Sequence, residues 1–173
     1  MSTLRSRESA AIVAVQRAPL TRPLLPVARG LSLIGEHAAG WLILGVIGAF
    51  VDPSRFWAWA LCCVAIVFAH GLSIVLKRVV RRPRPLGEGV EVRGSAPSKL
   101  SFPSSHASST TAAAIVFAVM LPALWPLAVL VVAAMLLSRM ALGMHFPTDL
   151  LAGVVLGTLS ALAVLPFLPL VSF

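Results

Sequence analysis

Residues 77–106 read KRVVRRPRPLGEGVEVRGSAPSKLSFPSSH, a polar stretch with long runs of Ala, Val, Leu, Ile and Phe on either side. Those runs decide the fold. The whole chain is 58% hydrophobic and only 12% charged, about half the charge of an ordinary soluble domain. Such a composition defines an integral membrane protein. Backbone polar groups in lipid must be satisfied within their own segment, so the spans are expected to be helices. The repeated alternating strands of an outer-membrane barrel do not occur in the sequence. The expected class is all-α: a polytopic membrane bundle of about five transmembrane helices with an N-terminal interfacial helix.

Working outward, the second span covers about 56–76 and the third about 106–121. The first, about 37–51, is short of the roughly 20 residues a hydrocarbon core requires, so part of the preceding segment is expected to help. The fourth covers about 127–142 and the fifth about 148–168, with Pro147 in the first helical turn, where proline is tolerated. Residues 3–17 pattern as an amphipathic helix lying in the interface, with Leu4, Ala11, Ile12 and Val15 on one face and Arg5, Ser9 and Gln16 opposite. Residues 21–35 hold Pro23, Pro26 and Gly30 and are expected to form a short broken helix. The chain thus divides into an interfacial segment, 1–36, and a membrane domain, 37–173. Five arginines and no unbroken apolar core in residues 1–36 argue against a cleaved signal peptide.

Five spans bring the 77–106 stretch, the 139–149 stretch and the N-terminus to one face of the membrane. Thirteen of the fourteen Lys and Arg residues then fall on that face, and Arg55 alone on the other. By the positive-inside rule the shared face is cytoplasmic, which places the protein in the plasma membrane with that face inward. Trp57, Trp59 and Trp125 fall at the opposite face and Trp41 near the shared one, as interfacial belts require. The net charge of +8 resides on no independent soluble module, so anionic head groups or a phosphate substrate suit it better than nucleic acid. Cys62 and Cys63 are adjacent in an apolar run. Neighbours do not meet disulfide geometry easily and two thiols are too few for a metal, so both read as packing residues.

The polar stretches carry the chemistry. Convergent Lys and Arg match phosphate oxygens, and Lys77, Arg84 and Arg139 are the candidates. The alternative for Arg78, Arg81 and Arg82 is a stop-transfer cluster on anionic lipid. Arg139 lies between MLLS and MALGM and must face something polar inside the bundle. Ser104 and Ser105 precede an Ala-rich span, where serine caps a helix and free amides bind anions. His106 follows in the first turn. His145 lies four residues before Asp149; a carboxylate on one imidazole nitrogen raises the basicity of the other, which makes His145 a candidate nucleophile. An ordinary capping aspartate is the plainer reading of Asp149. Two histidines, three cations and two hydroxyls without a metal-ligand cluster indicate phosphoryl transfer with no metal or other cofactor. A membrane scaffold or transporter holding anionic lipid is the non-enzymatic alternative.

At these residues the chain resembles the type 2 phosphatidic acid phosphatases, whose fold is shared with vanadium haloperoxidases. Lys77-x6-Arg84-Pro85, Pro103-Ser104-Ser105-His106 and Ser138-Arg139-x5-His145-x3-Asp149 match the three family motifs in order. The resemblance implies that Lys77, Arg84, Ser104 and Arg139 bind phosphate, His106 is the general acid, His145 forms a phosphohistidine and Asp149 orients it. Ser105 departs from the family's glycine, which lets backbone approach phosphate closely. The implied substrate is a lipid phosphate: phosphatidate, phosphatidylglycerophosphate, a polyprenyl diphosphate or a polyprenyl-linked sugar phosphate. A weaker likeness in chain length, basic N-terminal segment and GEHAAGW (residues 35–41) ranks a polyprenyl-linked phosphoribose first.

Other features carry two readings each. His70 projects on the Lys77 face two turns away, either lining a lipid-side pocket or packing in the core, the commoner fate. Glu36 and His37 touch a head group or cap an interfacial end. Residues 86–100 form a flap over the site or a plain linker. Gly153 and Gly157 make a GxxxG on the fifth span, which permits close helix contact within the chain or in a homo-oligomer.

Overall fold

A computed structural model describes residues 3–95 and 98–168. Seven α-helices follow in order: α1 (Thr3–Arg17), α2 (Thr21–Gly35), α3 (Ala39–Val51), α4 (Phe56–Val80), α5 (Ser105–Met120), α6 (Trp125–Ala141) and α7 (Pro147–Val164). Among the described residues the β-structure is limited to two isolated bridges, at Pro83–Leu100 and Gly87–Val90. The all-α membrane bundle expected from composition is the fold observed.

The first span is longer than the sequence pattern suggests. Residues Thr21–Val51 form one helical run, and this run, Pro53–Val80, Pro122–Ala141 and Pro147–Phe167 are each long and apolar enough to cross a membrane. Pro26 does not break α2. The interruption comes instead at His37 and Ala38, both with left-handed φ (51° and 59°), where α2 hands over to α3 across a kink.

Helix α5 occupies the centre. It has only 16 residues and is buried on most sides by α4, α6 and α7. Its Ala, Ser and Thr residues let neighbouring backbones approach, as in membrane interfaces generally. Gly153 and Gly157 of α7 meet it directly. A Cβ on Gly157 would lie 2.3 Å from the Ser108 carbonyl oxygen, and one on Gly153 2.7 Å from that of Ser104. The GxxxG is therefore filled inside the chain. Gly45 and Gly48 of α3 receive Cys63 and Trp59 in the same way. Cys62 is fully buried, the packing role expected.

The tryptophans divide differently from the belt expectation. Trp57 and Trp125 are exposed, but Trp59 and Trp41 are core residues. Trp41 Nε1 donates to Thr110 Oγ1 of α5 at 3.1 Å; an indole at the middle of a bundle needs such a partner. Trp59 Nε1 reaches Asp52 at 3.4 Å. Asp52 also pairs with Arg55 at 2.6 Å, and Arg55 Nη1 donates to the Met120 carbonyl at the end of α5. The lone cation on that face thus closes a helix C-terminus, as the helix dipole favours.

The N-terminal helix also docks by an unexpected face. The sequence pattern turns Ile12 toward lipid and Ser9 and Gln16 toward water. In the structure Glu8, Ser9, Ile12 and Gln16 are all buried against the protein, while Leu4 is exposed. Polar contacts explain the choice: Gln16 Nε2 donates to the carbonyls of Glu91 and Ala141, and the Glu91 amide donates back to Gln16 Oε1. The 86–100 stretch is tied down by these bonds and by Arg93 N to the Leu142 carbonyl at 2.9 Å; residues 96 and 97 of it lie outside the described residues.

Candidate active site

Local chemistry builds the site from three corners. Helix α4 ends at Arg81, whose left-handed φ of 54° and amide bond to the Lys77 carbonyl stop the helix and fold the chain back. Lys77 therefore sits in the last turn, nearly buried, with Nζ donating to the carbonyls of Pro103 (2.7 Å) and Ser101 (3.3 Å). Arg84, past the turn, donates to the Ser98 and Met144 carbonyls.

Ser104 caps α5, its Oγ accepting from the Ala107 amide at 3.3 Å. Its own amide donates to the Asp149 carbonyl at 2.9 Å, which locks the start of α5 to the start of α7. At α7 the Phe146 amide donates to Asp149 Oδ2 at 2.9 Å. Between α6 and α7 the chain reverses at Gly143 (φ 68°), where a Cβ would lie 2.3 Å from the Glu91 carbonyl oxygen. Only glycine fits that approach. The reversal carries His145 under Arg84.

The result is a cavity of about 380 Å³ lined by Lys77, Arg84, Ser105, His106, Arg139 and His145. The sequence motifs place eight residues in the site. Six line this cavity; Ser104 and Asp149 stand behind it, fully buried. Ser105 turns its hydroxyl to Ser73 Oγ, 2.7 Å away, so that hydroxyl is engaged by α4. His70, Glu36 and His37 also line the cavity.

The tautomers follow from the partners. Arg84 Nη1 lies 3.4 Å from His145 Nε2. A guanidinium can only donate, so Nε2 carries the lone pair and Nδ1 the hydrogen. Asp149 Oδ2 is 3.7 Å from that Nδ1, an electrostatic contact outside hydrogen-bond distance. Burial first, then the charges of Lys77, Arg84 and Arg139, hold the His145 pKa well below the ordinary histidine value. Burial also lowers Arg84, with Asp149 opposing. His106 Nε2 lies 3.0 Å from the Ser32 carbonyl, which only accepts. Nε2 thus bears a hydrogen, and Nδ1 is the atom free to give or take a proton.

Arg139 is 2% exposed. Its Nη1 donates to Ser32 Oγ at 3.0 Å, while Nε and Nη2 are buried without a partner among the described residues. Two unsatisfied guanidinium donors beside Lys77 and Arg84 fit the oxygens of a phosphate. No group of three or more His, Cys, Asp or Glu residues with metal-holding geometry occurs among the described residues.

Three contributors are not evident from sequence pattern. Ser32 on α2 holds both His106 and Arg139. Arg82, one of the basic residues read as lipid-facing, instead bridges Asp149 Oδ1 (2.8 Å) and Glu8 Oε2 (2.6 Å) and stacks over Phe146 at 4.2 Å. Glu8 further accepts from the amide and hydroxyl of Thr148. A lone Ser in an apolar helix marks Ser32 weakly; nothing in local pattern marks Glu8.

A cation-lined cavity with one buried and one half-buried histidine at the end of a membrane bundle defines a phosphatase-type site. The chain belongs to the PAP2 superfamily, whose profile matches residues 57–171. It is 46% identical over 151 residues to decaprenylphosphoryl-5-phosphoribose phosphatase of Mycobacterium tuberculosis, covering 87% of this chain and 84% of that protein. Identity to the protein of the same name from Mycolicibacterium smegmatis is also 46%, over 154 residues, 88% of this chain and 84% of that one. Among solved structures it is similar to a transmembrane PAP2-type phosphatidylglycerolphosphate phosphatase from Bacillus subtilis. The TM-score there is 0.72 at 27% identity, covering 95% of this chain and 84% of the other.

Proposed function

We propose that the protein removes the terminal phosphate of a polyprenylphosphoryl-5-phosphoribose, working from the cytoplasmic face of the plasma membrane. The convergence of His106, His145 and three cations in one cavity carries the reaction. The 46% identity to the two phosphoribose phosphatases supports the substrate. The basic residues gathered around the cavity and along α1 and α2 support the orientation.

In this reading His145 Nε2 attacks phosphorus and the bond from phosphorus to the sugar oxygen breaks. His106 enters this step as the imidazolium, favoured by the negative charge of the bound phosphate, with hydrogens on both Nε2 and Nδ1, and the leaving oxygen takes the proton of Nδ1. Arg139, Arg84 and Lys77, with the first amides of α5, hold the phosphoryl oxygens as charge develops. Water then attacks the phosphohistidine, giving its proton to His106; the nitrogen–phosphorus bond breaks and free phosphate leaves. Asp149 faces Nδ1–H of His145 and stabilises the charge that forms on the ring.

The direct test is phosphate release by purified protein from a panel of lipid phosphates. Phosphoribosyl lipid should be the best substrate, and His145→Ala should abolish release while the protein still elutes as folded material. Release by His145→Ala at the wild-type rate would remove the enzyme assignment. A preference for phosphatidylglycerophosphate is the second reading, favoured by the structural likeness to the Bacillus subtilis enzyme.

A further inference from the structure

Glu36, His37 and His70 line the same cavity as the phosphate-binding residues, yet none belongs to the three motifs. They sit where the span formed by α2 and α3 is kinked. His37 and Ala38 are consecutive non-glycine residues at φ 51° and 59°, a strained conformation of the kind that gathers at functional sites. A straight passage from α2 to α3 would avoid that strain. The kink brings Glu36 and His37 to the cavity wall.

His70 lies on α4 two turns from Lys77 toward the bilayer centre. Its Nδ1 is buried without a partner among the described residues. The His37 and His70 rings are 6.3 Å apart between centroids and tilted by 43°, so the two imidazoles sit side by side on the cavity wall. Ionisable side chains at membrane depth are costly and mark substrate paths. Three of them on the bilayer side of a phosphate clamp lie where the next portion of a lipid substrate must pass.

We infer that Glu36, His37 and His70 form a hydroxyl-reading subsite that holds the pentose between the phosphate clamp and the lipid tail. This rests on the phosphoribosyl-lipid reading. A pentose phosphorylated at C5, joined to the lipid at C1 and closed through its C4 oxygen has two free hydroxyls, at C2 and C3. A carboxylate only accepts and takes both; each neutral imidazole supplies one donor and one acceptor. An acylglycerol phosphate offers ester groups at that position, which cannot donate to Glu36. Sites built to bond a substrate hydroxyl reject analogues lacking it strongly, because buried polar groups are left unpaired.

The experiment measures kcat/KM of the full chain on four substrates: polyprenylphosphoryl-5-phosphoribose, its 2-deoxy and 3-deoxy analogues, and phosphatidate. Wild type should prefer the parent over at least one deoxy analogue by about tenfold or more, the scale of one hydrogen bond to a charged group. Glu36→Gln and His70→Phe should each reduce that preference, mainly through KM, and lower the ratio of parent to phosphatidate. Equal treatment of the parent and both deoxy analogues by wild type overturns the subsite. So does an equal loss on all four substrates in the variants. Glu36 is exposed on the cavity wall and its replacement is isosteric, so that arm reads out even if His70→Phe fails to fold. Wild type that cleaves phosphatidate but not the parent removes the phosphoribosyl reading itself, and the subsite with it.

Discussion

Replacing Glu8 tests how an N-terminal helix far from the motifs supports the reaction. The Glu8 side chain is 6% exposed and pairs with Arg82 at 2.6 Å. It also accepts from the Thr148 amide at 3.1 Å and from the Thr148 hydroxyl. Glu8→Ala leaves the Thr148 donors without their acceptor, at roughly 1–3 kcal/mol for a buried unsatisfied donor. Arg82 keeps Asp149 and is 23% exposed, so the lost ion pair counts for less than the roughly 3–5 kcal/mol of a fully buried one. The sum is about 3 kcal/mol. At about 2–4 °C per kcal/mol for a chain of this size, Tm should fall by roughly 6–12 °C in detergent.

The same change alters the site. Arg82 bridges two carboxylates; with one removed, it is free to reorient on Asp149, which holds the Phe146 amide beside His145. Glu8→Gln, which keeps an acceptor for Thr148 and removes the charge, should therefore lower kcat more than it raises KM, with a smaller Tm change than Glu8→Ala. A double-mutant cycle with Thr148→Ala should return a coupling of about 1 kcal/mol. An additive cycle, together with unaltered Tm and kcat in Glu8→Ala, would refute the network as described.

Three further outcomes rest on the same geometry. Gly157→Ala places a Cβ against a helix backbone that cannot withdraw and should destabilise by about 1–3 kcal/mol, read as a Tm loss larger than that of Gly71→Ala, where the added Cβ meets nothing within 4 Å. His145 has a folded pKa below its unfolded value near 6.5, so the native state binds fewer protons. Stability from this group is present above that unfolded value and is lost as pH falls below it, by at most about 1.4 kcal/mol per pH unit; His145→Asn should flatten the Tm profile between about pH 7 and pH 5, and an unaltered slope would contradict the burial argument. Chelation with EDTA should leave phosphate release intact while vanadate inhibits it; a requirement for magnesium would contradict a mechanism run by two histidines.

Much of the site was legible because its residues stand out chemically. Neither packing nor capping accounts for Arg139 in an apolar run, and counting spans brings it, with His145 and Asp149, to the face of Lys77 and His106. Apart from the start of the first span, which lies at Thr21 and not near residue 37, span ends were legible within a few residues because hydropathy reports lipid exposure directly. Other features depend on long-range pairing, which local periodicity does not encode. Glu8 meets Thr148 across 140 residues of sequence, so α1 is oriented by polar contacts that outweigh its weak apolar stripe. Trp41 obeys tertiary packing and not the interfacial preference of its type. Ser104 and Asp149 were legible as site residues, but their burial behind the cavity wall was not, since a cap and a ligand use the same side-chain oxygens. Pro26 shows the reverse limit: a proline near a helix start predicts a break that neighbouring packing does not enforce.

The shortness of α5 bears on how a long-tailed lipid is handled. Sixteen residues span about 24 Å at roughly 1.5 Å per residue, less than the roughly 30 Å of hydrocarbon. The central helix therefore cannot reach both surfaces, and if its start is the end that falls short, His106 operates below the level of the surrounding head groups. On that placement a lipid substrate would reach the site by lateral diffusion and a small descent of its polar end, with its tail still solvated by lipid. The tail's transfer energy is then nearly the same before and after binding. On the proposed phosphoribosyl-lipid reading, turnover is then expected to be insensitive to isoprenoid length, with selection falling on the few atoms nearest the scissile bond.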